Sequence, residues 1–590
     1  MNAERLFAHY DRLADAPDAV GRLRRFVLDL AVRGKLVEQN PADEPAAELL
    51  KRIEAKKQEL VEAKVIRKPK LLPDLDASQL SFTLPRGWCW ARIDELSPRS
   101  LSDGDWIETK HQSEDGNVRL IQLADVGTGA FLDKSARFVT EETEDRLRCT
   151  RLNVGDVLIA RLPNPIGRAC VFPDVGQPAI TAVDVAILRT DENSYNRYIE
   201  AAINAPSTRE QIEAYGKGAT RFRVATGHLK TVVLPLPPLA EQRRMVAKVD
   251  ELMALCDRLE ETRAAREDTR DRLTKASLAR LTAPDTDEPT FRGHARFAIH
   301  ALPALTARAD QVKDLRPTIL SLAVRGKLVE QDPADEPASE LLKRIAGVRT
   351  QLGVKRGGKP PRANETPFRL PAGWHWSRLD ALCTKTGSGS TPRGGKSVYK
   401  KAGIPFLRSQ NVYDDGLRLA DVAFVGADVH ARMARTAVAA RDLLLNITGG
   451  SMGRCCRVPD GFAEANVSQH VAIIRPAVPE MADYLHKLVL SPYFQAFIFH
   501  KQTGAGRGGL PKNKMDRIAV AVPPLAEQRR IVAKVDELMA LCDRLEEARV
   551  AREGTRDRLL DSLLHEALLA ADTTAERPTQ FNWLPEGRHD

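Results

Sequence analysis

The chain has 590 residues, 43% of them hydrophobic, with a formal net charge of +9 at pH 7 and a pI near 9.1. This length indicates about four domain-sized units, and the modest basic excess is compatible with a polyanionic partner. No apolar run approaches the ~18 residues of a membrane span, and the eight cysteines lack the paired spacing of a zinc site. We therefore expect a cytoplasmic protein with reduced thiols, no signal peptide and no metal site.

Several segments occur twice, which indicates an internal repeat. The longest ones are PPLAEQRRMVAKVDELMALCDRLEE (237–261, again at 523–547) and LAVRGKLVEQNPADEPAAELLKRI (30–53, again at 322–345). Shorter echoes at the first segment's offset of 286 are GWCW (87–90) with GWHW (373–376), and IGRACVFPD (166–174) with MGRCCRVPD (452–460). The stretches between these motifs differ much more. The repeat predicts one structural plan used twice, with conserved helices and diverged domains.

In chain order, the predicted regions alternate between helical segments and α+β domains. They are an N-terminal helical region copying the central one (1–65), a first domain (84–236), a long helix (237–282), a central helical region with its linker (283–366), a second domain (367–522), a second long helix (523–570) and a C-terminal tail (571–590). The predicted fold class is α+β, with two α/β domains separated by two long helices in a pseudo-two-fold repeat.

Within both domains, short apolar or alternating runs bounded by Gly, Pro, Asn and Asp predict strands. The predicted strands lie within 118–126, 155–162, 179–189 and 231–237 in the first domain, and within 404–410, 441–447, 466–475 and 517–523 in the second. Helical patterns cover 195–215 and 481–499.

Both long helices follow a Pro pair and carry apolar residues at alternating steps of four and three, an a/d stripe of coiled-coil type. The stripes are Met245, Val249, Leu252, Cys256 and Leu259, and Ile531, Val535, Leu538, Cys542 and Leu545. One interpretation is an amphipathic helix packed on its own domain. Because the stripe occurs twice, we favour an antiparallel coiled coil of the two helices, which should reach about Leu281 and Leu569.

Two glycine-rich segments resemble enzyme motifs without the context that those motifs need. LADVGTGAF (123–131) resembles the glycine turn of an S-adenosylmethionine-dependent methyltransferase, but the residues after it predict an extended segment instead of a helix. GSGSTPRGGKS (387–397) resembles a phosphate loop, but its spacing is wrong and no apolar strand precedes it. We therefore predict no catalytic residue and no cofactor bound by this chain.

Glycine-containing basic stretches without acidic residues occur at 216–230, 385–411 and 504–514. Glycine lets a backbone approach a phosphate chain, Lys and Arg neutralise it, and nearby amide and guanidinium groups can contact base edges. The candidate DNA-contacting residues are Gln122, Arg161, Asn164, Arg168, Lys217, Arg221, Arg223, His228 and Lys230 in the first domain, and Arg393, Lys396, Lys400, Lys401, Arg408, Gln410, Asn411, Arg454, Asn466, Gln469, Arg507, Lys512 and Lys514 in the second. A solvated surface is the alternative interpretation of any single residue.

Five motifs together carry a family resemblance that covers nearly the whole chain. They are PPLAEQRRMVAKVDEL, PPLAEQRRIVAKVDEL, AVRGKLVEQDPADEPASELL, LPAGWHWSRLDAL, and GSGSTPRGGK followed by GIPFLRSQNV. With them the chain resembles the specificity subunits of type I restriction-modification systems. One departure is the extra N-terminal stretch, residues 1–53, which copies the central region.

The resemblance implies a non-catalytic subunit whose two target-recognition domains each bind one half of a split double-stranded DNA site. It also implies methyltransferase subunits, which we expect in two copies, and restriction subunits, with S-adenosylmethionine, ATP and Mg on those partners. The alternative function is a stand-alone DNA methyltransferase, supported here only by the imperfect motifs. A third is a coiled-coil adaptor that binds no DNA.

Overall fold

The computed structural model describes residues 16 and 18–573, except 70, 71, 73, 74, 76–79, 81, 192, 219–221, 285, 286, 355, 356 and 501–508. Its contacts divide the chain into unit 1, Met1–Ala264 with Glu553–Asp590, and unit 2, Ala265–Arg552. Both units contain helices and strands, which confirms the predicted mixed class. The tail predicted from 571 lies almost entirely outside the described residues.

The described part of unit 1 runs from two helices through a sheet-rich domain into a long helix, and it also includes residues 553–573 of the second long helix. Its helices are α1 (Ala19–Val32), α2 (Ala46–Glu62), α3 (Glu141–Leu147), α4 (Asn196–Asn204), α5 (Pro206–Ala214), α6 (Thr226–Leu229) and the first part of α7 (Leu239–Leu281). Its strands are β1 (Cys89–Arg92), β2 (Ser102–Asp103), β3 (Val118–Ile121), β4 (Phe138–Val139), β5 (Val157–Ala160), β6 (Ala169–Val171), β7 (Ala179–Thr181), β8 (Val185–Leu188) and β9 (Val233–Leu236).

The strands of unit 1 form three small sheets. An antiparallel sheet has the order β2-β8-β5-β6, a second sheet has the order β4-β3-β7 with β3 and β7 parallel, and β1 pairs with β9. The β1–β9 pair joins the start of the domain to its end, next to α7. The helix predicted over 195–215 is two helices, because Pro206 has no backbone N–H and begins α5 after the extended Ala205.

Unit 2 repeats this order of elements after a central helical segment. Its helices, beside the last part of α7, are α8 (Glu288–His300), α9 (Leu302–Leu305), α10 (Ala309–Val324), α11 (Ala338–Gln351), α12 (Leu379–Leu382), α13 (Ala427–Arg432), α14 (Ala482–Leu490), α15 (Pro492–His500), α16 (Lys512–Asp516) and most of α17 (Leu525–Thr573). Its strands are β10 (His375–Arg378), β11 (Cys383–Ser388), β12 (Ile404–Leu407), β13 (Val412–Tyr413), β14 (Gly416–Leu417), β15 (Ala423–Val425), β16 (Ala437–Val438), β17 (Leu443–Asn446), β18 (Cys455–Arg457), β19 (Ala465–Val467), β20 (Val471–Pro476) and β21 (Ala519–Val522).

The sheets of unit 2 correspond to those of unit 1, with one more strand in the second sheet and an added hairpin. The orders are β11-β20-β17-β18 and β15-β12-β19-β16, and the two-stranded pairs are β10-β21 and β13-β14. A proline again separates two helices, since Pro492 begins α15 after the extended Ser491.

α7 ends at Leu281, as predicted, and α17 extends to Thr573, the last described residue, past the predicted end near Leu569. The apolar stripes, however, begin by packing inside their own units. Met245 and Val249 lie in the core of unit 1 with Tyr198 of α4, and Ile531 and Val535 lie in the core of unit 2. Partly buried Leu252 and Leu538 and buried Cys542 pack there as well, Cys256 is buried, and Leu259 and Leu545 are half-buried. The start of each stripe therefore packs on its own domain, as an ordinary amphipathic helix does. The pairing of the two stripes in a coiled coil stays a prediction.

The two glycine-rich segments have no enzyme-like geometry. After β3, residues 123–125 form one 3₁₀ turn and Val126 then bridges to Phe131, so a hairpin follows the strand. Residues 387 and 388 end β11, a strand of mostly polar residues, and only a 3₁₀ turn at 395–398 follows the segment. Within the described part of the chain, no helix has the length and hydropathy to cross a membrane.

Candidate nucleic-acid interface

Several loops converge at one end of the main sheet of unit 1. Asp103 ends β2, Ala160 ends β5 and Val185 begins β8, and the register pairs Ala160 with Val185 and Asp103 with Ala186. The segments 104–111, 161–168 and 182–184 therefore leave the sheet at the same end. Segment 222–226 joins them, because the backbone N–H of Val224 donates to the carbonyl of Arg161 at 3.1 Å. We call these four segments the loop end of unit 1.

Two predicted DNA-contacting arginines lie beneath these loops. Arg161 is 5% exposed; it pairs with Asp103 and donates to the carbonyls of Val183 and Val224 at 3.0 and 3.1 Å. Arg168 is 8% exposed and donates to four carbonyls, those of Leu123, Val126, Leu162 and Pro165. Burial lowers the pKa of both guanidinium groups. These hydrogen bonds stabilise the loop end, and DNA contact by either arginine stays a prediction.

Other predicted residues of unit 1 are partly engaged within the protein. Arg223 donates to the carbonyl of Val183 at 3.0 Å, and Lys230 donates to Ser100 Oγ at 3.1 Å. The His228 ring stacks on Tyr215 at 5.0 Å.

The remaining predicted DNA-contacting residues of unit 1 include the most accessible ones. Asn164 and Lys217 are exposed and Gln122 is half-buried, while Arg221 lies outside the described residues. DNA contact by these accessible groups stays a prediction.

Unit 2 has an equivalent loop end. Ser388 ends β11, Asn446 ends β17 and Val471 begins β20, with Asn446 paired to Val471. Segments 389–399, 447–454 and 468–470 leave the sheet there, and 509–510 joins them because Leu510 N–H donates to the carbonyl of Ile447 at 2.9 Å. Buried Asn446 also donates to the carbonyl of Ser409 at 2.9 Å, which places the neighbouring segment 408–411 beside these loops.

Two predicted amides of unit 2 are internal. Asn411 is 1% exposed and donates to the carbonyl of Arg418 at 2.9 Å. Asn466 is fully buried, donates to the carbonyl of Met433 and contacts His430 Nδ1 at 2.7 Å. Both amides therefore hold the fold together through internal hydrogen bonds, and contact of either amide with a base edge stays an untested prediction.

The remaining predicted residues of unit 2 differ in accessibility. Arg393, Lys400, Lys401, Gln410, Arg454 and Gln469 are exposed, and Lys514 is half-buried. Arg408 donates to the carbonyl of Asp421 at 2.9 Å, and exposed Lys512 pairs with Asp516. Arg507 lies outside the described residues; Lys396 lies in the 3₁₀ turn at 395–398.

The paired motifs IGR and MGR show how one framework presents different side chains. Arg168 and Arg454 occupy the same position of the repeat, yet Arg168 is buried under its loops whereas Arg454 is exposed. The Arg454 guanidinium lies 4.7 Å from the ring centre of Tyr413, and that of Arg418 lies 5.1 Å from it. This stacking orders an accessible guanidinium at the loop end of unit 2.

The candidate list missed Tyr413, Arg418 and one aromatic residue of unit 1. Trp106, on the segment 104–111, has an exposed fraction of 66%. Its signal in the sequence was weak, because a single tryptophan predicts burial more often than exposure. Aromatic side chains also contact bases, but they do not contribute to the basic pattern of the sequence.

The three repeated motifs of each unit meet at one buried carboxylate. Tryptophan from G-W-x-W and glutamine from R-G-K-L-V-E-Q both donate to the glutamate of P-P-L-A-E-Q, at the start of the long helix. The contacts are Trp88 Nε1 and Gln39 Nε2 to Glu241 at 3.0 and 3.3 Å, and Trp374 Nε1 and Gln331 Nε2 to Glu527 at 2.9 and 3.1 Å. Burial raises the pKa of both carboxyls, and these hydrogen bonds partly oppose that effect. We call each group a Trp–Glu lock.

A metal site and a reactive thiol each place requirements on the described residues. No set of three or more His, Cys, Asp and Glu side chains among them is placed to hold a metal ion. Burial raises the pKa of all eight cysteine thiols, to about 12 for Cys89 and Cys170, so none is an activated nucleophile. Each unit thus has one loop end, and both loop ends are built on the same arrangement of strands.

Comparison with known proteins gives a consistent result. Residues 85–266 match the family model for the type I restriction modification DNA specificity domain. The EcoAI specificity subunit of Escherichia coli is 30% identical over 93% of this chain and 94% of its own length, and the EcoEI specificity subunit of the same species is 28% identical over the same shares. The crystal structure of the HsdS subunit from Thermoanaerobacter tengcongensis aligns with 82% of this chain and 98% of its own, at 18% identity and a TM-score of 0.43.

Proposed function

Because this chain belongs to the type I restriction-modification specificity subunits, we propose that its loop ends recognise the two halves of an asymmetric, bipartite DNA site. The observation that carries the proposal is a shared framework with different accessible side chains. Unit 1 presents Lys217 and Asn164, whereas unit 2 presents Arg393 and the stacked Arg454. Different donors at the two loop ends select different base sequences, so the two half-sites should differ.

The chain is the non-catalytic DNA-recognition subunit of its complex, and catalysis belongs to its partners. Methyltransferase and restriction subunits are the partners, and S-adenosylmethionine, ATP and Mg²⁺ bind to them. The repeat supports two methyltransferase copies, because the same buried Trp–Glu lock and the same ion pair hold the start of the long helix in both units. The ion pairs are Arg244–Asp43 and Arg530–Asp335, each at 2.7 Å. The proposed docking faces are 241–263 with 30–36, and 527–549 with 322–328.

We further propose that α7 and α17 run antiparallel and form a coiled coil. Supporting contacts lie within each unit, where the short helix before the RGKLV turn pairs both with the first part of one long helix and with the last part of the other. The pairs are Arg24–Asp257 and Arg22–Asp557 in unit 1, and Arg316–Asp543 and Arg308–Asp271 in unit 2. Each short helix contacts the first part of one long helix and the last part of the other. The two long helices therefore run in opposite directions.

Domain exchange tests the recognition proposal. Residues 84–236 are replaced by the corresponding domain of another specificity subunit, and the methylated sequence is mapped in cells carrying the whole system. One half-site should change and the other should stay the same, and exchange of 367–522 is the matched control that should alter the other half. A change in both half-sites after either exchange would contradict independent recognition.

A second experiment separates this function from a stand-alone DNA methyltransferase. The purified chain is incubated with DNA and labelled S-adenosylmethionine, with the reconstituted complex as the positive control. We expect label in DNA only with the complex. Incorporation by the chain alone would favour the enzyme. The absence of salt-sensitive DNA binding would favour a structural adaptor, because phosphate contacts require salt dependence.

A further inference from the structure

Trp106 places a large apolar surface in solvent at the loop end of unit 1. Its exposed fraction is 66%, and it lies three residues after the end of β2. Phe222, with an exposed fraction of 39%, lies on the basic segment beside Arg223 at the same loop end. Exposed aromatics among basic groups are typical of surfaces that contact bases as well as phosphates.

The backbone under Trp106 is fixed by hydrogen bonds to the sheet and to a neighbouring loop. Gly104 N–H donates to the carbonyl of Val185 at 2.9 Å, and Asp105 N–H donates to that of Thr181 at 2.8 Å. The Asp105 carboxylate accepts from Thr150 N–H at 2.8 Å. A Cβ on Gly104 would lie 2.4 Å from a backbone oxygen, so the chain passes too close for any larger residue. A fixed backbone lowers the entropy that the indole loses on binding.

The acidic residues around Trp106 are neutralised or engaged, so they oppose DNA only weakly. Glu108 accepts from the indole Nε1 at 3.4 Å and pairs with Lys110 at 2.6 Å, and the hydrogen bond from Lys110 lowers the pKa of the Glu108 carboxyl. Asp103 accepts hydrogen bonds from Arg161 and Thr226.

We propose that Trp106 is a specificity-determining residue of this chain, whose indole packs directly against bases of the half-site bound by unit 1. The proposal rests on the DNA-recognition function proposed above. An apolar ring favours thymine methyl groups and easily unstacked base steps, and it adds affinity that does not depend on displaced counterions. In unit 2 the corresponding segment 389–399 carries Arg393 and no tryptophan, so the two half-sites are contacted by different chemistry.

The test uses the complex reconstituted with its methyltransferase subunits and measures Kd for DNA at several salt concentrations. Trp106→Ala should weaken binding about 10- to 100-fold without changing the slope of log K against log salt, and Trp106→Phe should recover most of the affinity. Phe297→Ala, which removes a half-exposed aromatic from α8 outside both loop ends, should bind like the wild type. Thermal unfolding checks that every variant is folded.

A second DNA with the unit 1 half-site scrambled locates the contact. On this DNA, the Trp106→Ala complex and the wild-type complex should bind with the same affinity. Unchanged binding of Trp106→Ala, a smaller salt slope, or an equal loss on both DNAs would overturn the role of Trp106. If the wild-type complex itself fails to distinguish the two DNAs, the recognition function fails instead, and the two outcomes are thus separable.

Discussion

Removing the indole donor of the Trp–Glu lock in unit 2 should destabilise that unit in a pH-dependent way. Trp374→Phe deletes the 2.9 Å hydrogen bond to Glu527, whose side chain is buried. A hydrogen bond to a charged group contributes about 1.5–3 kcal/mol, and a buried carboxylate that loses its donor retains the cost of desolvation. We therefore expect the free energy of unfolding of unit 2 to fall by about that amount at pH 8.

The pH dependence has a definite sign. Burial raises the pKa of Glu527 above its ordinary 4.5, so the folded chain holds a proton that the unfolded chain releases as the pH rises above that value. The Trp374 hydrogen bond favours the ionised form, and its loss raises the folded pKa further. The difference between wild type and variant should thus be small near pH 4.5 and grow towards pH 8.

Urea unfolding followed by pulsed hydrogen exchange of peptides from 525–535 monitors unit 2 by itself. Trp88→Phe is the equivalent change in unit 1, and Trp106→Phe is a control in which the indole faces solvent. When Glu527→Gln is combined with Trp374→Phe, the loss in the free energy of unfolding should no longer depend on pH. An equal loss of stability at pH 4.5 and pH 8 would refute the reasoning, because it would assign the effect to packing alone.

Two further predictions concern the loop ends. Arg168→Ala should lower the free energy of unfolding of unit 1 by about 3 kcal/mol, since it removes four hydrogen bonds to carbonyls. Arg454→Ala, at an exposed position, should change stability by less than about 0.5 kcal/mol and weaken DNA binding by about 1–3 kcal/mol. Chemical denaturation measures stability and titration with DNA measures binding; equal effects of the two changes would contradict the different roles. Lys217→Ala should reduce the salt slope of DNA binding by about 0.9, and an unchanged slope would exclude a phosphate contact there.

The sequence by itself determined the elements that depend on local pattern. The limits of α7 and the positions of ten of the 21 strands in the described residues were predictable, because a Pro pair, an apolar period and turn residues act within a few positions. The repeat also predicted that both units share one plan. A family resemblance in the same motifs then supplied the function, as the 30% identity to a specificity subunit supports.

Only the tertiary structure decided which side chains the loop ends present. Arg168 and Arg454 are the same residue in the same motif, but the acceptors of Arg168 lie up to 45 positions away along the chain. Asn466 is buried for the same reason, since its partners come from residues 430–436. Trp106 is exposed on a segment whose backbone is hydrogen-bonded to residues 181 and 185, more than 70 positions away. Burial and accessibility depend on contacts between distant segments, whereas a sequence pattern shows only that a helix or strand has one apolar face.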